Sequence, residues 1–170
     1  MFLLSGTVVA THSTSTGVQV WPARWNGPAV VDKAALLGED VPATGLMALT
    51  GVGVRLLPRA GFLELLEQEP PVRKHVLAQL ARDVMTDRRR LVQAATLPAL
   101  AHLAVWLTEQ NPDHPVAWRG SQEQLAHLLG LSRITVNRAL ARLTGAGAVQ
   151  LTARGIVITD RARLGAFAQE

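Results

Sequence analysis

Three arginines and an asparagine in one short stretch have the types and spacing to do chemistry. They stand in Ser132-Arg-Ile-Thr-Val-Asn-Arg-Ala-Leu-Ala-Arg142. A guanidinium offers a planar fork of donors that is always charged, so it suits paired acceptors such as phosphate oxygens or the edge of a guanine. Short polar side chains beside it can give or take single hydrogen bonds. On an exposed helix this set fits the phosphates and base edges of DNA. A helical hairpin with a merely solvated basic face is the plainer alternative.

The elements needed to display such a face are written into the flanking residues. Ser121 is placed to cap a first helix, and Gln124 three residues on completes a capping box. Leu125, Leu128 and Leu129 come next at helical spacing. Gly130 ends that helix in a turn where a left-handed backbone costs glycine little. Ser132 can cap a second helix whose inward face is Val136, Ala139, Leu140 and Leu143. Ala126 allows close approach, and Arg133, Ile134, Thr135, Asn137, Arg138 and Arg142 are left outside. Caps, turn and basic face agree on a helix-turn-helix.

The residues on either side are as informative. Two short β runs flank Ala153-Arg154-Gly155 and predict a hairpin directly after the helix-turn-helix, which is a wing. Asp160 can cap a last helix over residues 161–167. Upstream, Thr96 is a candidate cap for a helix reaching Gln110, and Asn111-Pro-Asp-His-Pro115 reads as a turn. Val116-Ala-Trp118 reads as a short strand.

A longer helix is expected over residues 72–95. Leu77, Val84 and Leu91 recur every seven residues with Val76, Leu80 and Ala81 beside them, so a short coiled-coil dimerisation helix is expected. The alternative is a helix buried against its own β domain. A shorter helix from Gly61 stops before Pro70-Pro71. Residues 1–57 look β-rich, with runs at 7–10, 18–21 and 52–57 broken by Gly, Pro, Ser and Asn. They supply too few strands for a closed roll, so an incomplete one is expected.

Composition bounds the rest. The chain has 170 residues, 48% of them apolar, enough for one domain or two small ones. It has no apolar run long enough for a membrane span, and Met1-Phe-Leu-Leu does not continue into a signal-peptide core, so a cytoplasmic setting is expected. Absence of cysteine excludes disulfides, thiolate-held zinc and cysteine-held iron–sulfur clusters. The net charge is only +4, from 17 basic and 13 acidic residues, so any DNA affinity depends on where the arginines point.

No enzyme is expected. Asp32, Glu39 and Asp40 have no nucleophile or phosphate loop with them. The histidines (12, 75, 102, 114 and 127) show no metal-ligand spacing; His75 could serve as a haem or metal ligand, but reads better as a partly exposed helical residue. No cofactor or metal is expected. Trp21, Trp25, Trp106 and Trp118 read as core or domain-interface residues.

The order β-roll, long helix, helix-turn-helix and wing resembles the CRP/FNR (cyclic AMP receptor protein) superfamily of bacterial transcription regulators. The specific match is Ser132-Arg133-Ile134-Thr135-Val136-Asn137-Arg138, against the family's Ser-Arg-x-Thr-Val-x-Arg recognition pattern. The resemblance implies an α+β fold: an incomplete, cyclic-nucleotide-binding-like sensor roll over residues 1–69, shortened at its N-terminal end, then a dimerisation helix over 70–96. A winged helix-turn-helix completes it over 97–170.

It implies further a homodimer held by Leu77, Leu80, Val84 and Leu91 on a pseudo-palindromic DNA site, activating transcription through RNA polymerase. Arg133, Ile134, Asn137 and Arg138 would face bases. Ser121, Gln122, Ser132, Thr135, Arg142 and Arg154 would meet phosphates. Ile134 stands where many members carry a glutamate that accepts from cytosine; an isoleucine can only pack on a thymine methyl, so an altered half-site is expected.

The nucleotide pocket also departs. Val31-Asp32 and Ala43-Thr44 stand where the family's cyclic-nucleotide binders carry Gly-Glu and Arg-Ser, and Asp87 and Arg88 lie near the base position. A cyclic phosphate would lack its arginine, so cyclic AMP is not the expected effector. A truncated partner that heterodimerises with a full-length relative is the rival reading.

Overall fold

The structure is a computed structural model. It describes residues 1–15, 18–38, 44–110, 116–153 and 155–169. The chain divides into two compact units, Met1–Arg89 and Arg90–Glu170.

The first unit holds strands β1 (Phe2–Ser5), β2 (Thr7–Ser13), β3 (Gln19–Val20), β4 (Arg24–Asn26) and β5 (Ala29–Val30). Helix α1 (Lys33–Gly38), strands β6 (Gly45–Ala48) and β7 (Gly53–Arg55) and helix α2 (Arg59–Gln68) come after them. Among the described residues they form two open antiparallel sheets. One has the order β5-β1-β7, with Phe2 opposite both Val30 and Arg55. The other is centred on β2, which pairs with β3 and β4 and, over Val8–Thr11, with β6. The strands are short, in keeping with the frequent Gly and the prolines between them.

Val8, Val9 and Ala10 are buried in succession, as fits a central strand covered on both faces. Leu3, Val8 and Val31 form a small core with Met1 and Trp25 against it. Phe62 of α2 is buried and meets Phe2 edge to face, ring centroids 6.1 Å apart.

Helix α3 (Pro70–Thr96) begins two residues earlier than the periodicity predicts, because proline is tolerated in a first turn, where amides have no partner within the helix. It runs across the boundary between the units in sequence. Val76 is buried. On the same side Asp83 receives Lys33, the one buried basic side chain besides His102 among those described: Nζ lies 3.3 Å from Asp83 Oδ2 and donates to the Val30 carbonyl. Gln79 donates to the other Asp83 oxygen, so the buried ammonium and its partner are both satisfied. Leu77, Val84 and Leu91 are 58, 48 and 70% exposed, so the face they share is not covered by this chain. Leu80 is half-buried.

The second unit holds α4 (Ala99–Glu109), β8 (Val116–Trp118), α5 (Gln122–Leu129), α6 (Arg133–Gly145), β9 (Val149–Thr152), β10 (Gly155–Ile158) and α7 (Arg161–Phe167). Thr96 does not cap α4. It is the last residue of α3, its hydroxyl donates to the Val92 carbonyl, and Pro98 occupies the cap position with no side-chain bond. A threonine in a final turn can turn its hydroxyl back to the carbonyl four residues earlier, and that contact wins here.

Helix α4 is buried almost all round from Leu100 to Leu107, which makes it the centre of this unit's core. Trp106 and Trp118 pack edge to face in that core at 5.4 Å. Trp21 is buried in the first unit and Trp25 half-buried, so the tryptophans are core residues as expected. The predicted turn at 111–115, with His114, lies outside the described residues, as do Glu39, Asp40 and Ala43.

Candidate nucleic-acid interface

The interface is built on two capped helices. Ser121 Oγ accepts from the Gln124 amide at 3.0 Å, and Gln124 Oε1 accepts from the Ser121 amide at 3.0 Å, so the expected capping box is closed in both directions. At the other end of α5, Gly130 has φ 64°, and its amide donates back to the Ala126 carbonyl. Ser132 then caps α6 by accepting from the Thr135 amide at 3.0 Å.

Packing decides which face of α6 is left free. Val136, Ala139, Leu140 and Leu143 are buried in a core shared with Leu125, Ala126 and Leu129 of α5. At 100° per residue the opposite arc carries Ile134, Asn137, Arg138 and Ala141, while Arg133 stands in the first turn nearer the side of Leu140, and all are exposed. Arg142 is exposed at the edge of this arc. The four residues expected to face bases are therefore all exposed, Ile134, Asn137 and Arg138 on the outward face and Arg133 one turn before Asn137 at the helix start.

Ile134 is 64% exposed, a large apolar side chain amid guanidinium groups. Such exposure costs free energy unless something covers it.

The expected phosphate residues fall into three groups. Ser121 and Ser132 are exposed, Gln122 and Thr135 half-buried. Ser132 Oγ and Thr135 Oγ1 are 2.8 Å apart and share one hydrogen bond, which leaves one of the two hydroxyl protons for an outside acceptor. Both caps mark helix N-termini, where backbone amides and the helix dipole favour an anion. Arg142 stands in the last turn of α6. Arg154 lies outside the described residues.

Arg119, exposed two residues before the α5 cap, is a further basic residue at this helix N-terminus. Its signal in the sequence is only its place beside a cap. Arg163, by contrast, is committed to structure: its guanidinium donates to the Ala146 carbonyl and pairs with Asp160.

The hairpin forms as predicted, with Gly155 opposite Thr152 and Ile158 opposite Val149. It differs in one detail: Gly155 is the first residue of β10 and not part of the turn. It needs to be glycine because its φ is 123° and a Cβ there would overlap the Trp118 carbonyl. Strand β8 pairs on the other side of β10, giving a three-stranded sheet in the order β8-β10-β9.

His102 is buried in α4, which its sequence position does not reveal. Burial lowers its pKa from 6.5, and nearby Glu109 offsets this in part. His75 is exposed. Among the described residues no group of three or more His, Asp or Glu is placed to hold a metal ion, and no helix is long and apolar enough to cross a membrane.

Two helices joined by a glycine turn, then a strand-paired hairpin, define a winged helix-turn-helix unit. Residues 94–167 match the family model of the Crp-like helix-turn-helix domain. No curated protein sequence matches the chain. Solved structures match over nearly its whole length. A CRP/FNR-family transcriptional regulator from Eubacterium rectale is 16% identical with a TM-score of 0.74, over 99% of this chain and 80% of that one. FixK2 from Bradyrhizobium japonicum is 22% identical with a TM-score of 0.78, over 98% and 85%. A variant of CooA from Carboxydothermus hydrogenoformans is 15% identical with a TM-score of 0.79, over 98% and 77%. The chain thus has the fold of the CRP/FNR regulators, and its residues 94–167 are similar in sequence to the Crp-like helix-turn-helix domain.

Proposed function

We propose that the chain is a sequence-specific DNA-binding transcription regulator of the CRP/FNR type, acting as a homodimer on a pseudo-palindromic site. The observation that carries this reading is the exposed outward face of α6 with Asn137 and Arg138 on it, Arg133 exposed in its first turn, and both α5 and α6 capped. Arg133 and Arg138 take guanines by bidentate hydrogen bonds, and Asn137 lies between them on the face. Ser121, Gln122, Ser132, Thr135 and Arg142 hold phosphates and fix the docking angle, with Arg154 of the wing joining them. Ile134 covers itself against a thymine methyl, which changes the half-site from the family's usual one.

Two α6 helices reach successive major grooves only in a two-fold dimer, and the uncovered face of Leu77, Val84 and Leu91 supports that assembly, with Leu80 at its edge. The output is activation through RNA polymerase in the cytoplasm, with no enzymatic step. Cyclic AMP is not the effector. Val31, at one of the ribose positions, is buried in the small β core, and the base positions hold the exposed charges of Asp87 and Arg88. Micromolar binding of any cyclic nucleotide in calorimetry would overturn this part.

Selection of bound DNA from a random pool by the purified chain tests the whole reading. It should enrich a pseudo-palindrome whose half-sites are about one helical turn apart. Enrichment of the family's usual half-site would refute the role given to Ile134. No enrichment by the chain alone, with binding restored once a full-length relative is added, would favour the heterodimerising partner instead.

A further inference from the structure

The uncovered face of α3 is more regular than a seven-residue repeat of three residues. Leu77, Ala81, Val84, Arg88, Leu91 and Ala95 alternate in steps of four and three, and every one of them is exposed. This is the spacing of a coiled-coil seam in which Ala81, Arg88 and Ala95 take one kind of core position and Leu77, Val84 and Leu91 the other. Arg88 is the one charged residue in that series. Asp87 precedes it on the edge of the seam, is exposed, and among the described residues has no ion-pair partner; nor has Arg88.

In a parallel pair of such helices, a side chain at Arg88's kind of position enters a hole on the facing helix. The residue just before its counterpart forms one wall of that hole, so Arg88 would face Asp87 of the second copy, twice by symmetry.

Given the proposed homodimer, on which the inference rests, we infer that two reciprocal Arg88–Asp87 ion pairs across the seam set its parallel register. An antiparallel or shifted pairing would lose the reciprocal contact and leave a guanidinium in an apolar seam, so the layer trades some stability for register. A parallel pair also serves the two-fold placement of the reading helices.

Sedimentation of the full chain and its variants tests it. Asp87→Arg alone and Arg88→Asp alone should each weaken self-association by about tenfold or more, because like charges then meet across the seam. The double variant Asp87→Arg/Arg88→Asp should bring association back to near the starting value. A fourth variant, Arg88→Leu, should associate at least as tightly and spread into other oligomers. All these positions are exposed, so thermal melts should show the fold intact. A dimer indifferent to either single reversal, or a double variant that does not recover, would overturn the ion pairs and leave the dimer standing. A monomeric starting protein would overturn both.

Discussion

From Leu100 to Leu164 eighteen described residues pack into one apolar core, whereas the cluster at the heart of the β unit comprises Leu3, Val8 and Val31. The β unit also exposes Leu4, Leu46, Met47, Val52, Val54 and Leu56 on its strands and their flanks, while the winged unit's exposed large apolar residues are Leu91, Val92, Ile134 and Leu151. The contrast comes from the elements. A central helix such as α4 can be surrounded and can hold many neighbours in place at once. Short strands in two open sheets bury only where they overlap. A densely packed winged unit and a less deeply packed β unit are therefore joined in one chain.

The largest effect expected from this contrast is on stability. Leu143→Ala, at a fully buried site of the large core, should cost the winged unit about 2–5 kcal/mol, and Leu3→Ala should fall at the low end of that range because its cluster is small and can relax. Denaturant unfolding monitored in each unit measures both, and equal costs would erase the distinction between the two cores. On the reading face, Arg133→Ala or Arg138→Ala should weaken specific DNA binding by about 1–3 kcal/mol and relax one position, with no change in melting. Loss of folding together with loss of binding would show that these arginines belong to the core and not to the interface.

A smaller effect is expected from Ser121→Ala, which removes one half of the capping box and should cost about 0.5–2 kcal/mol in the winged unit alone. Replacing the thymine read by Ile134 with deoxyuridine removes one methyl contact and should weaken binding by about 0.8 kcal/mol, with no such loss in Ile134→Ala.

The pH dependence of His102 separates the two units in another way. Its pKa is lowered by burial in the fold, so the unfolded chain takes up the proton first. The stability of the winged unit should be fully present above pH 6.5 and fall as pH drops from there toward the lower folded pKa. His102→Gln should flatten that slope in a melting series, and a slope that stays unchanged would assign the effect to another group.

The reading head was legible because its signals are local. Ser121, Gln124, Gly130 and Ser132 each act within a few residues, so their roles come from spacing alone, and the hairpin after them is similarly short-range. The strands of the β unit were less so. The predicted runs near residues 7–10, 18–21 and 52–57 coincide with β2, β3 and β7, but β4, β5, β6 and α1 carry two to six residues each and little periodicity. Thr96 shows the limit even of local signals, since a hydroxyl that can cap the next helix can equally bond back to its own.

Side-chain spacing along single elements was enough to specify the helix-turn-helix, its outward arginines and the seven-residue recurrence on α3. Tertiary structure alone decided that Lys33 is buried against Asp83, that His102 lies in the core, and that Gly155 must pass close to Trp118. It also decided that Leu77, Val84 and Leu91 stay uncovered. Those outcomes depend on which distant segments meet, and burial and charge pairing are set by such meetings.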